Sequence, residues 1–154
     1  MNPVKIISFD PKFVHAYIDL NKEWIERYFE IEPMDIAQLE NPYPTILDNG
    51  GEIFFVLENE IAVGTCAMVT HGPRCYELAK MAVSPSVRGK GYGDLLIKKA
   101  IDWARIKKAE KIILLSNTIL TPAIELYKKH GFQTTHLGSH PDYKRCNIEM
   151  ELKI

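Results

Sequence analysis

The sequence lacks most of the features that assign a chain at sight. No apolar run approaches the length of a membrane span; the longest aliphatic stretch in the second half is Ile112 to Leu115. The first ten residues show no basic flank followed by an apolar stretch, so no secretory leader is expected and the expected compartment is the cytoplasm. Cys66, Cys75 and Cys146 are odd in number and far apart, forming neither a CxxC pair nor a disulfide framework; reduced thiols are expected. Repeats, low-complexity tracts and linker compositions are missing, so residues 1–154 read as one domain, long enough to bury a core. A net charge of −1 argues against a dedicated nucleic-acid binder. His136 and His140 have a spacing that suits a metal only on a helix, and Gly138 and Pro141 argue against one; no metal site is expected.

What is present is unevenly distributed. Hydrophobic residues make up 46% and charged residues 25%, as in soluble globular proteins. Residues 1–79 carry five Lys/Arg against thirteen Asp/Glu, while residues 80–111 carry nine against three. An acidic first half joined to a basic centre suggests two ligand faces, although a solvated mixed surface gives the same pattern.

Periodicity supplies the elements. Val4 to Phe9 reads as a strand. Phe13 to Phe29 has apolar residues at three- and four-residue spacing, hence an amphipathic helix. Residues 33–40 suit a short helix that Pro42 and Pro44 stop. Glu52–Glu58 and Ile61–Thr70 form a predicted hairpin turning at Asn59-Glu60, and Cys75–Val83 is a fourth strand. A helix over about Gly91–Lys107 is expected to bury Leu95, Leu96, Ala100, Ile101, Trp103 and Ala104. It is followed by a strand at Lys111–Ser116 and a helix with Thr121 as its cap, Pro122 in its first turn and Gly131 beyond its end. Phe132–Leu137 and Cys146–Ile154 are the last strands. This order predicts an α+β (mixed α/β) fold: about seven mostly antiparallel strands with a parallel pair at the centre, flanked by about four helices.

The most informative stretch is Met81-Ala82-Val83-Ser84-Pro85-Ser86-Val87-Arg88-Gly89-Lys90-Gly91-Tyr92-Gly93. It leads from a strand into a helix start, where unpartnered N–H groups and the positive end of the dipole suit a phosphate. Glycines allow close approach of the backbone, and Arg88 and Lys90 add charge. The dinucleotide fingerprint fails, because residue 94 is aspartate. The nucleotide-triphosphate loop fails, because Gly91 follows Gly89-Lys90. What remains is Arg-x-x-Gly-x-Gly after Ala-Val-Ser-Pro.

That motif resembles the pyrophosphate-binding segment of the GNAT N-acetyltransferases. Asn117, Leu120, Ala123, Leu126-Tyr127-Lys128-Lys129 and Gly131-Phe132 resemble the family's second motif. The resemblance implies the GNAT acyl-CoA N-acyltransferase fold and direct transfer of an acetyl group from acetyl-CoA to a primary amine of a small molecule, protein or peptide, in a ternary complex. It implies that backbone groups of Met81, Ala82 and Val83 bond the pantetheine arm as an added strand. It further implies that residues 88–93 hold the pyrophosphate, that Asn117 contacts the cosubstrate, and that Tyr127 protonates the departing thiolate. A homodimer is common in such families.

Glu77 is the candidate general base, at the offset where some lysine-acetylating relatives place a glutamate; a histidine or a water is the alternative. Strict alternation would set Glu77, Ala79, Met81 and Val83 on one face and Lys80, as a structural or salt-bridge residue, on the other. Candidate acceptor residues are Glu30, Glu32, Tyr43, His140 and Tyr143. The acidic excess would suit a cationic amine. A non-catalytic acyl-CoA sensor is the alternative to an enzyme, and the acyl length is open between acetyl and propionyl.

Overall fold

A computed structural model describes residues 3–154. The strands are β1 (Val4–Ser8), β2 (Glu52–Glu58), β3 (Ile61–Thr70), β4 (Cys75–Val83), β5 (Lys111–Ser116), β6 (Gln133–Leu137) and β7 (Ile148–Lys153). The helices are α1 (Val14–Tyr28), α2 (Pro33–Glu40), α3 (Pro42–Thr45), α4 (Tyr92–Ile106) and α5 (Thr121–Lys129). The seven strands form one sheet in the order β1-β2-β3-β4-β5-β7-β6, with β4 and β5 parallel and every other pair antiparallel. The mixed sheet agrees with the expectation from sequence. The additional helix, α3, is one turn that Pro42 starts after Asn41 has ended α2, because proline's fixed φ and missing N–H suit a first turn.

Two apolar clusters sandwich the sheet. On one face Leu96, Ile97, Ala100 and Ala104 of α4 and Ile124 of α5 pack on Phe54, Val56, Cys66 and Met68. On the other, Tyr17 of α1 and Leu39 of α2 pack on Ile53, Phe55, Leu57 and Ala67. The residues of β2 thus alternate between two covered faces, which is why Ile53 to Leu57 is an unbroken apolar run. The buried stripe of α4 differs in phase from the expectation: Ile97 is sealed, Leu95 is exposed, and Trp103 is partly buried with its ring edge-on to Tyr76. The β2–β3 turn takes positive φ at both Asn59 and Glu60, the requirement of a tight two-residue hairpin. Thr121 is inside α5 rather than its cap; Leu120 holds the cap position, and Asn117 accepts the Ile119 N–H just before it.

Two departures from regular pairing shape the centre. The β4–β5 ladder covers only Cys75–Glu77 against Lys111–Ile113, and from Leu114 onward β5 pairs with β7 alone. From Leu78 onward the β5-facing edge of β4 therefore has no ladder partner, and a cleft opens between the two parallel strands. In addition, β4 has one extra residue against β3 between Ala79 and Ala82, and Lys80 takes φ +51°. This bulge breaks the alternation. Tyr76, Leu78, Met81 and Val83 pack on the α4 cluster, so Glu77 and Met81 do not share a face as period two would require. Glu77 and Lys80 instead lie near enough for the Lys80 charge to act on the glutamate.

Candidate active site

A cavity of about 660 Å³ passes through this cleft. One side is walled by the turn before α4 and by α5, the other by the end of α1, by β4 and by Tyr143, Arg145 and Cys146.

The turn before α4 is shaped by its glycines, each for its own reason. Gly89 and Gly91 have φ of +83° and +81°, which L side chains rarely adopt, and a Cβ on Gly89 would meet nothing within 4 Å. Gly93 is different: a Cβ there would lie 2.8 Å from Leu126 Cδ2, so it sets the approach of α4 and α5. Arg88, Gly89 and Gly91 line the cavity. Lys90 does not; its Nζ bonds Glu58 at 3.1 Å, and the Tyr92 hydroxyl donates to the same carboxylate. The cation beside the turn on the cavity wall is therefore Arg88. Asp94, in the first turn of α4, is held below the usual carboxylate range by Lys129 (2.9 Å) and His130 (2.8 Å).

Val83, Ala82 and Met81 follow the unpaired edge of β4 along the cavity. Asn117 lines it at the end of β5, where its amide donates to the Arg145 carbonyl at 2.6 Å and so ties the β6–β7 connection to the start of α5. Tyr127 lines it from α5, its ring edge-on to Phe132 at 6.1 Å. Burial, then the nearby Cys66, pushes the Tyr127 phenol up to about 12, so it holds its proton at neutral pH. Glu77 lines the opposite side and makes no ion pair among the described residues. Burial raises its pKa, and the positive charge of the nearby Lys80 only partly offsets this. Glu77, Tyr127, Asn117, Arg88, the glycines and the end of β4 thus line a single cavity.

The sequence motifs gave no indication of the group behind Glu77. Asp35 of α2 is fully buried. It accepts Lys80 Nζ at 2.9 Å, Arg145 Nη1 at 2.5 Å and Arg145 Nη2 at 2.7 Å. Burial alone would raise Asp35, but the Arg145 hydrogen bonds and the Lys80 charge outweigh it and hold the carboxylate low. Lys80 also donates to the Tyr143 hydroxyl at 3.2 Å, and Arg145 stacks on the Tyr143 ring at 4.5 Å and over Trp24 at 5.8 Å. A lysine inside Leu78-Ala79-Lys80-Met81-Ala82 announces a need for a partner, but nothing local says that the partner is 45 residues away.

Of the acceptor candidates, Tyr143 lines the cavity, and Glu32 sits behind it, paired with Arg145 at 3.4 Å. Glu30, Tyr43 and His140 are off the wall: Tyr43 packs against Phe9 at 5.5 Å, and His140 Nδ1 accepts the Asp142 N–H. The acidic excess of the first half is likewise elsewhere, with Glu77 its one carboxylate on the wall.

Comparison with known proteins decides the family. The profile of the acetyltransferase (GNAT) family matches residues 15–132. The chain belongs to the GNAT acetyltransferase family. It is 32% identical over 94 residues to a mycothiol acetyltransferase of Corynebacterium glutamicum (strain R), covering 61% of this chain and 32% of that protein. The chain therefore spans about a third of the length of that relative. It is 29% identical over 145 residues to an uncharacterized N-acetyltransferase of Schizosaccharomyces pombe, covering 86% and 88% of the two chains. Among solved structures, a GNAT acetyltransferase of Staphylococcus aureus Mu50 superposes with a TM-score of 0.89 at 22% identity, covering 98% of this chain and 99% of that one. A spermidine N-acetyltransferase from Vibrio cholerae in complex with CoA and spermine superposes with a TM-score of 0.73 at 21% identity, covering 97% and 95%. At these identities the likeness is one of fold.

Proposed function

We propose that this protein is an N-acetyltransferase that takes an acetyl group from acetyl-CoA to a primary amine of a small molecule, by direct transfer with both substrates bound. The observation that carries this reading is the cleft between β4 and β5. It joins an anion-binding helix start on one face of the sheet to a chamber holding an unpaired, raised-pKa glutamate on the other.

The fit to the coenzyme rests on three features of this chain. A side chain at the left-handed Gly89 would stand in open space, one at the left-handed Gly91 would have Asp94 Oδ2 at 4.0 Å, and their turn leads into the N-terminus of α4 beside Arg88, so amides of residues 88–93 would hold the pyrophosphate. The unpaired edge of β4 at Met81–Val83 would pair with the amides of the pantetheine arm. Tyr127 reaches the same cleft. When bound, acetyl-CoA supplies the acetyl group as a thioester.

The chain's own groups divide the remaining work. Glu77, raised by burial, accepts the proton the amine must shed, either directly or through a water. Tyr127 holds the proton that the departing sulfur takes up. Asn117 fixes the loop that closes the acceptor side. The test is calorimetric titration of acetyl-CoA and CoA into wild type and Arg88→Glu. Arg88 is exposed and has an ordinary extended φ, whereas any side chain at Gly91 would strain the turn by itself. Binding by wild type and its loss in the folded variant supports the site; no binding by folded wild type rejects the reading.

A further inference from the structure

We infer that the acceptor is an amine that also carries a carboxylate, an amino-acid-like molecule with an apolar or aromatic body, and that Arg145 holds the carboxylate through its Nε–Nη2 edge. This rests on the acetyltransferase reading above and specifies which amine the site takes.

The argument starts from donor accounting. A guanidinium has five N–H donors in one rigid plane. Nη1 donates to Asp35 Oδ2 and, at 3.4 Å, to Glu32 Oε2, and Nη2 donates to Asp35 Oδ1. That end-on arrangement leaves Nε–H and the outer Nη2–H, two parallel donors with no acceptor among the described residues. No buried side-chain nitrogen or oxygen among those residues lacks a partner, so Nε is not sealed in protein, and Arg145 lines the cavity. The two bonds to Asp35 fix the plane of this edge, and the guanidinium carbon lies 4.5 Å from the Tyr143 ring centroid and 5.8 Å from that of Trp24. A two-donor edge in a fixed plane matches a carboxylate.

Charge points the same way. Lys80 and Arg145 share one fully buried carboxylate, so the Lys80–Asp35–Arg145 triad carries a net positive charge. Glu32, paired with Arg145 at 3.4 Å, brings the four-residue cluster to formal neutrality, but its oxygens also accept the backbone N–H groups of Lys144 at 2.7 Å and Arg145 at 3.2 Å. The one carboxylate on this side of the wall without such partners is Glu77, which faces the reacting amine in the proposed function. A second ammonium on the acceptor would meet Lys80 and Arg145; a carboxylate would meet an open pair of donors. Trp24, Tyr28 and Phe29, at the end of α1, give an apolar body its place.

The experiment uses matched amines that differ only in the carboxylate: phenylalanine and phenethylamine, tryptophan and tryptamine, 4-(aminomethyl)benzoate and benzylamine, with spermidine as a polyamine probe. In at least one pair the carboxylated member should have a kcat/KM about tenfold or more above its partner, through KM. Arg145→Lys keeps a cation beside Asp35 but lacks the second edge, and should bring that ratio close to one. The inference is overturned if the decarboxylated member is favoured in every pair, if spermidine is favoured over all of them, or if the ratio survives in folded Arg145→Lys. Should the variant not fold, the wild-type ratios decide alone. Acetyl-CoA binding with none of these amines acetylated overturns the acceptor class and leaves the coenzyme site standing; no acetyl-CoA binding overturns the acetyltransferase reading itself.

Discussion

The two sides of the cavity are built on opposite plans. The turn at residues 88–93 is a local object: consecutive residues present backbone groups, the conformation is set by glycines at positive φ, and the one cation on the wall is exposed. The acceptor side is made from side chains. Asp35, Lys80 and Arg145 come from α2, β4 and the β6–β7 connection, with Asp35 and Arg145 separated by 110 residues in sequence. A backbone-built site of this kind depends on few side chains. A side-chain site ties specificity to the stability of the core.

That contrast can be broken first at Glu77, the proposed base. Glu77→Gln should lower kcat/KM by about a hundredfold or more while leaving acetyl-CoA affinity unchanged by calorimetry. The wild-type kcat/KM should rise with pH along a limb displaced upward from the usual carboxylate range, and the variant should lack that limb. The sign for stability is opposite. A carboxyl raised in the folded state binds its proton more tightly there than in the unfolded chain. It therefore makes wild type lose stability as pH rises from the ordinary carboxylate range through the raised value. Glu77→Gln should be flatter over that window in denaturant melts. A catalytic loss accompanied by the same pH dependence of stability would break the link between this residue's burial and its role.

The next largest effect is expected at the ion cluster. Asp35→Ala leaves Lys80 and Arg145 buried without their shared counter-charge and should cost about 3–5 kcal/mol in urea unfolding. Arg88→Glu, by contrast, should leave the urea midpoint nearly unchanged and weaken acetyl-CoA binding about tenfold to a hundredfold. If the two variants behaved alike in both assays, the distinction between a backbone-built and a side-chain-built side would fail. The smallest effect sharpens the comparison inside the turn itself. Gly93→Ala meets Leu126 at 2.8 Å and should destabilise by about 1–3 kcal/mol, with coenzyme affinity changed only through the tilt of α4.

Local chemistry accounts for what the sequence made legible. Apolar, β-branched and aromatic runs bounded by turn residues placed β2, β3, β4 and β5 to the residue, since the turns that end these strands have residue preferences of their own. The glycine turn was legible because positive φ and helix starts have residue preferences of their own. The phase of β4 beyond Ala79 was not, because an inserted residue shifts the faces without leaving a periodic trace, and Lys80 takes its left-handed φ within an otherwise apolar strand. Thr121 looked like a cap for the same reason that Leu120 did not: cap preferences are statistical, while the chain here enters α5 from the Asn117 turn.

By itself, then, the sequence determined the order of the strands and of the longer helices, the mixed sheet, and the glycine turn proposed to hold a pyrophosphate, with its candidate partners Glu77, Asn117 and Tyr127. Only the tertiary structure decided what stands behind them: the end of the β4–β5 ladder after Glu77, the bulge at Lys80, and the sharing of Asp35 by Lys80 and Arg145. The physical reason is range. Backbone conformation is governed by neighbours in the chain, whereas a buried charge must be neutralised by whichever segment the fold brings within hydrogen-bonding distance.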